Sequence, residues 1–353
     1  WTNLDHGFYT QVTAAHTTKR WVDNVVFENS GEGFQIYGSA PILRNIYYEG
    51  NVAFSTSMLT DRNPALQPQM NVLIGGNYGT KNLTCVIVRN SFTYHPDPAA
   101  KRGVDIGYKN HNNSLILVEN NYFTCVPRAI PAHLLLFVLP GLHRSGNCCA
   151  TGSLAEARSN VFCVALLHGR GSCCWSHSGG VHAMELNHAA SDVTVRNNTF
   201  WAPDGMVTVS LDPPGHVVFE QNRYIENNGS FSLDALRKQI SSGSTDRMVP
   251  GGAGGRPAGL QVFTRVNRYE PNRVHVIVYN WEHTPTVKLD LGAVLGDHQR
   301  FSIIEARNLY SAPAFTGTWV KGGTVDVAMP TNAQSGHGEF ACFVLFREQN
   351  PTE

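Results

Sequence analysis

The sequence contains few charged residues, and the two signs balance. Lys and Arg together number 27, Asp and Glu together number 27, and charged residues make up only 15% of the 353 residues. A chain without net charge has no field that attracts nucleic acid, and no basic run is present to bind phosphates. No apolar run is long enough to cross a membrane. We therefore expect neither a nucleic-acid-binding nor a membrane-spanning protein.

The local motifs of several enzyme classes are also missing. The sequence has no G-x-S-x-G, no H-E-x-x-H and no Walker loop. It begins at Trp1 without a Met or a signal peptide, which suggests a processed form or a fragment. Glycine is abundant instead, with 33 residues, and Asn, Val and Thr are common. This composition is typical of a β-rich protein with many tight turns.

A short pattern recurs along the chain: alternating apolar residues, then Asn, then an aromatic residue. The clearest copies are "NIYYEGNVAF" (45–54), "CVIVRNSFTY" (85–94), "LILVENNYF" (115–123), "DVTVRNNTF" (192–200) and "HVVFEQNRY" (216–224). Asn198 and Asn222 are 24 residues apart, and Asn90 and Asn121 are 31 apart. Each unit provides a short strand, a turn and a second strand, which predicts one coil of a parallel β-solenoid.

The recurrent Asn has an architectural explanation. Asn tolerates the left-handed backbone of a turn, and its amide can bond its neighbours. In stacked coils these amides would form a ladder, and the aromatic residues that follow them would stack. Four acidic residues fall near the same position, and some of them are expected to be solvated turn residues: Glu28, Glu49, Glu119 and Glu220.

The sequence predicts an all-β chain with three parts. Residues 1–235 carry the solenoid pattern, and residues 236–258 are rich in Gly, Ser and Pro, as in a linker. Residues 259–353 have longer alternating strands with hairpin-type breaks, which predicts a small antiparallel β-sandwich. This last part could pack on the solenoid as an appendage or bind sugar.

Residues 125–190 do not fit the solenoid pattern. They hold six of the eight Cys and six of the 15 His but only two acids. The distance from Asn121 to Asn198 is 77 residues, close to three units. Three interpretations stay open: a frame-shifted segment, a disulfide-bearing loop, or a metal site, although the adjacent Cys pairs lack C-x-x-C spacing. Resequencing the DNA would identify a frame shift.

Two regions resemble a known superfamily. "HGFYTQ" (6–11) and "VDNVVFENSGEGFQIYGS" (22–39) are similar to a branch of the right-handed parallel β-helix, or pectate-lyase-like, proteins of secreted bacterial origin. "VHVIVYNWEHTPTVKLDLGAVLGD" resembles the C-terminal sandwich of that branch. The likeness covers residues 1–123 and 190–347. It implies a right-handed parallel β-helix followed by a sandwich, further coils before Trp1, and a secreted or extracellular protein. Because one fold serves many functions, it indicates the reaction only weakly.

Candidate site residues are polar side chains on segments that otherwise read as strands. A lyase needs a base and a cationic group, and a hydrolase needs two carboxylates. The predicted catalytic residues are His6, Glu32, Asp105 and Lys109. The predicted substrate-binding residues are Asp5, Tyr9, Gln11, Gln35, Tyr37, Tyr108 and Trp201, the last as an exposed aromatic. No metal site is assigned, although three acids are candidate ligands of a Ca²⁺ ion: Asp5, Glu32 and Asp105.

Three functions remain open at this point. The first is a secreted carbohydrate-active enzyme, a glycoside hydrolase or a polysaccharide lyase, that acts on a polysaccharide or oligosaccharide as a monomer. The second is a non-catalytic carbohydrate-binding or surface protein, which would bind sugar without releasing new ends. The third is a truncated or damaged product without activity.

Overall fold

The chain is composed mostly of strands, in large parallel sheets and smaller antiparallel sheets. The computed structural model describes residues 5–11, 17–38, 42–56, 70–76, 82–96, 102–125, 181–203, 205–227, 231–240, 245–332 and 337–348. The all-β prediction is therefore confirmed at the level of strand content and parallel pairing. Within these residues no helix is both long and apolar enough to cross a membrane.

Eighteen strands and one helix make up the first part of the described chain. They are β1 (Phe8–Gln11), β2 (Lys19–Val22), β3 (Val25–Phe27), β4 (Phe34–Gly38), β5 (Ile42–Glu49), β6 (Val52–Phe54), β7 (Met70–Gly76), β8 (Asn82–Arg89), β9 (Phe92–Tyr94), β10 (Arg102–Tyr108), β11 (Asn113–Glu119), β12 (Tyr122–Thr124), β13 (His182–Arg196), β14 (Thr199–Trp201), β15 (Gly205–Leu211), β16 (Val217–Glu220), β17 (Arg223–Ile225), α1 (Leu233–Gln239) and β18 (Arg247–Val249).

These strands form three parallel arrays. Array one contains β1, β4, β7, β10, the first half of β13, and β15. Array two contains β2, β5, β8, β11, the second half of β13, and β16. Array three contains β3, β6, β9, β12, β14, β17 and β18. Each sequence repeat therefore contributes one strand to each array, as stacked repeats require.

The apolar alternation of the strands points into one shared core. In array one the buried residues of that core include Phe34, Ile36, Val72, Ile74, Val104 and Ile106. Because successive side chains of a strand point to opposite faces, the residues between them lie on the other face of array one. That other face holds the polar residues singled out in the sequence.

The Asn ladder is present, and its rungs are buried. Both the backbone N–H and the side-chain amide of Asn198 donate to Asn222 Oδ1, each at 3.0 Å. Asn121 donates in the same way to Asn198 Oδ1, at 2.9 Å for both bonds. Each of these amides also bonds a backbone carbonyl of the preceding repeat, for example Asn198 Nδ2 to Val118 O at 3.0 Å. The ladder thus satisfies polar groups that stacking removes from water.

The left-handed turn residue and the ladder residue occupy two adjacent positions. The repeat pattern of the sequence does not distinguish them, because Asn occurs at both. Asn90, Asn120 and Asn197 have positive φ, and each immediately precedes a ladder residue. The ladder residue that precedes Asn121 is Ser91, whose N–H donates to Asn121 Oδ1 at 2.9 Å. The 31-residue spacing measured from Asn90 therefore joins two different positions, and the true partner of Asn121 is Ser91.

Two residues after the ladder position, rings follow one another in the later described repeats, whereas in the first two repeats the stacked rings are one position further on, where the centroids of Phe27 and Phe54 are 5.3 Å apart. The ring centroids of Phe123 and Phe200 are 6.1 Å apart, and those of Phe200 and Tyr224 are 5.6 Å apart. The equivalent positions in the earlier repeats are Ala53 and Thr93, which have no ring.

Three of the four recurrent acids, Glu49, Glu119 and Glu220, belong to a charged row, whereas Glu28 lies at a turn with positive φ and its side chain is 37% exposed. Glu49, Arg89, Glu119, Arg196 and Glu220 are successive cross-strand partners in array two, with alternating sign. Glu49 and Glu119 are buried. Arg196 Nη2 lies 2.7 Å from Glu119 Oε2, and Arg89 approaches both acids. Opposite charges on neighbouring strands support this pairing register.

The parallel part continues into the predicted linker. Strand β18 pairs with β17, and Asp246 just before it accepts from Asn222 N–H and Nδ2 at 2.9 and 3.1 Å. Asp246 is therefore the last described rung, again 24 residues after Asn222. Helix α1 begins at the N-cap Ser232 and packs Leu233 and Leu236 against the end of the core. The ladder thus extends one repeat beyond the last Asn that the alignment found.

The C-terminal strands are antiparallel, as predicted. They are β19 (Leu260–Val266), β20 (Arg273–Asn280), β21 (Thr286–Leu289), β22 (Arg300–Glu305), β23 (Phe315–Thr318), β24 (Val325–Ala328) and β25 (Phe340–Arg347). A five-stranded sheet, β19-β20-β25-β22-β23, shares an apolar core with the two-stranded sheet β21-β24. The opposite face of the larger sheet packs on array three through an aromatic cluster that includes Phe54, Tyr94, Tyr279 and Phe340. This contact is the packing role that the sequence left open.

Most of the segment 125–190 lies outside the described residues, so its frame-shift, disulfide and metal interpretations stay predictions. Its end is regular, because β13 begins at His182. The interpretation of the 77 residues between Asn121 and Asn198 as three stacked coils is wrong, because Asn121 donates directly to Asn198 and β12 pairs with β14. No repeat separates these two strands, so the argument that coils were replaced without loss of length does not hold.

Candidate functional site

One row of side chains crosses the polar face of array one. The cross-strand partners in this row are Tyr9, Gln35, Leu73, Asp105, Glu185 and Thr208. They alternate with the core residues of each strand and so share the face away from the core. The row brings Tyr9, Gln35 and Asp105 onto one surface, and it adds Glu185.

Asp105 and Glu185 form a pair of carboxylates held by one guanidinium. They are directly opposite each other on β10 and β13. Arg102 Nη1 donates to Asp105 Oδ2 at 2.9 Å, and Arg102 Nε contacts Glu185 Oε2. The Asp105 side chain is fully buried, whereas those of Arg102 and Glu185 are 26% and 16% exposed. Solvent therefore reaches the pair from the side of Arg102 and Glu185.

The buried member of the pair has a pKa close to neutral pH. Burial raises the pKa of Asp105 to about 7, and the negative charge of Glu185 adds to this shift. The charge of Arg102 and a hydrogen bond from Asn187 Nδ2 to Asp105 Oδ1, at 3.0 Å, lower the pKa in part. On the other flank Asp105 faces the apolar Leu73. A carboxyl with such a pKa can donate a proton near pH 7.

Polar residues of the next two strands surround the pair. Thr208 Oγ1 lies 3.1 Å from His182 Nδ1, and Ser210 Oγ lies 3.5 Å from Asn187 Oδ1. Asn187 thus connects Asp105 to Ser210. These groups can orient the carboxyl of Asp105 and offer hydrogen bonds to a polar ligand.

The predicted residues His6 and Glu32 lie at the other end of array one. His6 Nδ1 is 2.8 Å from Glu32 Oε2, and the His6 ring stacks on Tyr9 with centroids 5.6 Å apart. Strand β7 separates β4 from β10, so Glu32 and Asp105 are at least two strand spacings, roughly 10 Å, apart. The sequence placed both acids in one site, but the structure does not bring them together.

The other predicted residues are divided between the two ends. Gln11 and Tyr37 are register partners on β1 and β4, and Asp5 accepts from Ser30 Oγ at 3.1 Å. Tyr108 and Lys109 lie at the end of β10, with Lys109 Nζ 4.8 Å from the Tyr108 ring centroid. The first group accompanies His6 and Glu32, and the second accompanies Asp105.

Trp201 is not an exposed aromatic. It is only 2% exposed, and it lies on β14 in array three, away from the polar face of array one. Its Nε1 donates to Gly255 O at 2.8 Å, and its ring packs edge-on against Trp281. The alternating pattern could not show this burial, because the surface is covered by residues far away in sequence. Trp201 therefore packs inside the protein and does not line the polar face of array one.

The three acids proposed for calcium do not form one ligand group. Within the described part of the chain the only group of three or more potential ligands is His111, His188 and Asp212. Asp105 is paired with Arg102, and Glu32 with His6.

Sequence reasoning missed Glu185, Arg102 and Asn187. Glu185 and Asn187 fall within residues 125–190, which do not fit the solenoid pattern as a whole. Their signal was the regular alternation of "HAMEL" (182–186), which matches "RGVDI" (102–106) position by position and aligns Glu185 with Asp105.

A separate cavity of about 520 Å³ lies between array three and β19. Its lining includes Asn90, Asn120, Asn197, Arg223 and Arg265. It contains no acid among its lining residues and so offers no carboxylate pair. We place the candidate site at Asp105 and Glu185, because these two carboxylates share one guanidinium and the pKa of Asp105 is raised.

Comparison of the chain with protein-family models, with curated proteins and with solved structures found no match.

Proposed function

We propose that the first part of the chain is a right-handed parallel β-helix, that the C-terminal sheets form a β-sandwich, and that the protein is a secreted enzyme that cleaves a polysaccharide. Three parallel arrays with one strand per repeat, and a ladder of buried polar side chains that are mostly Asn, support the fold. The observation that carries the function is the Asp105–Glu185 pair, with a raised pKa on Asp105.

The pair favours a glycoside hydrolase over a lyase. Both carboxylates contact the guanidinium of Arg102, which places them near enough to each other to suit the short carboxyl separation, roughly 5 Å, of retaining glycosidases. Asp105, the member with the raised pKa, would be the general acid. Glu185, which is more exposed and is paired with Arg102, would be the nucleophile.

Hydrolysis would then proceed in two steps. In the first, the Glu185 carboxylate attacks the anomeric carbon, the glycosidic bond breaks, and Asp105 gives its proton to the leaving oxygen. In the second, the ionised Asp105 takes a proton from water as that water attacks the anomeric carbon, which releases Glu185. Because the Asp105 side chain has no exposed surface, the first step requires Arg102 or Glu185 to move aside so that the leaving oxygen comes within hydrogen-bond reach of Asp105.

The test is cleavage of a panel of plant and algal polysaccharides by the parent chain and its variants. We expect new reducing ends without an unsaturated product. Asp105→Asn and Glu185→Gln should each lower the rate at least about 100-fold, since each removes an acid–base or nucleophilic group. Asp192→Asn is the matched control, because Asp192 is an exposed acid on the same strand as Glu185.

Other outcomes would contradict this proposal in different ways. Parent-like rates in both pair variants would show that the pair is not the site. Loss of activity in Glu32→Gln alone would move the site to His6 and Glu32. An unsaturated product, lost in His6→Ala or Lys109→Ala, would indicate a lyase. Sugar binding without cleavage of any substrate would favour the carbohydrate-binding alternative.

A further inference from the structure

Three potential metal ligands meet at one corner of array one. Asp212 accepts contacts from two imidazoles: His188 Nδ1 lies 3.1 Å from Oδ1, and His111 Nδ1 lies 3.5 Å from Oδ2. The two rings are 4.0 Å apart, centroid to centroid. One ligand atom from each of the three residues can be chosen so that all lie within 4.8 Å of one another.

The backbone of three successive repeats creates this cluster. His111 follows β10, His188 lies where β13 passes from array one to array two, and Asp212 follows β15. The chain turns at each of these places, with positive φ at Lys109, Asn112 and His188. The pairing of β13 with β15 also shifts register between Leu186 and Ala189. Residues far apart in sequence thereby reach the same corner.

The spacing suits a small transition-metal ion. Zn²⁺ binds imidazole nitrogen and carboxylate oxygen at about 2.0–2.2 Å, which places neighbouring ligands of a tetrahedral site about 3.4 Å apart. The measured separations between the ring nitrogens and the carboxylate oxygens are 3.1 and 3.5 Å. The His111 and His188 side chains are 62% and 34% exposed, so a fourth position can be filled by water.

Backbone hydrogen bonds hold two of the three ligand residues in place. Asn112 N–H donates to Asp212 Oδ2 at 2.8 Å. His188 N–H donates to Ser210 Oγ at 2.8 Å, which fixes the backbone that carries the second ligand. Such outer contacts orient metal ligands.

We propose that His111, His188 and Asp212 bind one divalent first-row transition-metal ion, through one ring nitrogen of each histidine and a carboxylate oxygen, with water as a further ligand. Two imidazoles and one carboxylate favour Zn²⁺, Cu²⁺ or Ni²⁺ over Ca²⁺ and Mg²⁺, which prefer oxygen ligands. This site is independent of the proposed hydrolase, because it shares no residue with the Asp105–Glu185 pair.

Titration calorimetry of the metal-stripped full chain with Zn²⁺, paired with Co²⁺ absorption spectra, tests the proposal. The parent should bind one ion with a spectrum of nitrogen and oxygen ligands and no thiolate band. His111→Ala, His188→Ala and Asp212→Asn should each weaken binding at least about tenfold. Asp212→Asn can still accept from the Asn112 N–H. His298→Asn is the control, because it removes an exposed His beside Asp297 on the C-terminal sheets.

The strongly exposed His111 keeps the test decisive, since its removal should leave the melting temperature unchanged. Absence of stoichiometric binding in the parent would overturn the proposal. Parent-like affinity in all three variants, or a thiolate band in the Co²⁺ spectrum, would also overturn it and would assign the ion to cysteines.

Discussion

Replacing Asn198 by Leu should remove the centre of the ladder. The Asn198 side chain makes four hydrogen bonds: its Nδ2 donates to Asn222 Oδ1 and Val118 O, and its Oδ1 accepts from the N–H and Nδ2 of Asn121. Leu cannot replace any of them. At roughly 1 kcal/mol for each bond, the loss in free energy of unfolding is about 4 kcal/mol. That is a large part of the 5–15 kcal/mol typical of a folded domain.

Urea unfolding followed by far-UV circular dichroism and by Trp fluorescence would measure this loss. Two probes are needed, because coincident transitions show whether a single free energy describes unfolding. Asn197→Gly is the matched control. Asn197 is exposed and has a φ of 54°, which Gly adopts without strain, so its stability should change by less than about 0.5 kcal/mol. A loss below about 1 kcal/mol in Asn198→Leu, or equal losses in both variants, would refute the ladder as a source of stability.

Three further outcomes are expected. The folded-state pKa of Asp105 is raised from 3.8 to about 7, so its contribution to stability is complete below pH 3.8 and is lost as the pH rises through 7. This contribution amounts to about 4 kcal/mol. The variant Asp105→Asn should flatten that part of the pH–stability curve, and an unchanged curve would contradict the shift. If Asp105 is the general acid, the rate of cleavage should fall as the pH rises through about 7, and a rate constant up to pH 9 would argue against that role. Arg265→Gln should lower the free energy of unfolding by about 3 kcal/mol, because it leaves the buried Asp23 without the guanidinium that lies 2.5 Å away. The control Arg268→Gln changes a side chain that is 52% exposed, so it should alter stability little. Equal melting temperatures of the two variants would exclude Arg265 as a contact that stabilises the packing of β19 on the parallel arrays.

The sequence predicted the features that depend on local periodicity. Alternating apolar residues indicated the strands, and the Asn spacing indicated stacked repeats with buried amides. The last rung was missed because Asp246 replaces Asn there, although the interval of 24 residues continues. Asn90 was placed on the wrong rung, because a left-handed turn and a ladder both favour Asn.

The site was harder to predict, because it depends on which strands are neighbours. Glu32 and Asp105 carry similar sequence signals, yet β7 lies between their strands. Asp105 meets Glu185 only because β13 follows β10 in space, across more than 70 residues of chain. The burial of Trp201 likewise depends on the distant C-terminal sheet. The alternation of "RGVDI" (102–106) and "HAMEL" (182–186) indicates two strands, but it does not show that these strands are neighbours.

The protonation of Asp105 can be measured without knowing the substrate. A carbon-13 NMR titration of Asp-labelled chain, with Asp105→Asn to assign the signal, would give the pKa of this carboxyl directly. We predict a midpoint of about 7 in the parent and a lower midpoint in Glu185→Gln, because that change removes the neighbouring negative charge. A midpoint near the ordinary value of 3.8, unaffected by Glu185→Gln, would contradict the acid–carboxylate pair on which the proposed function rests.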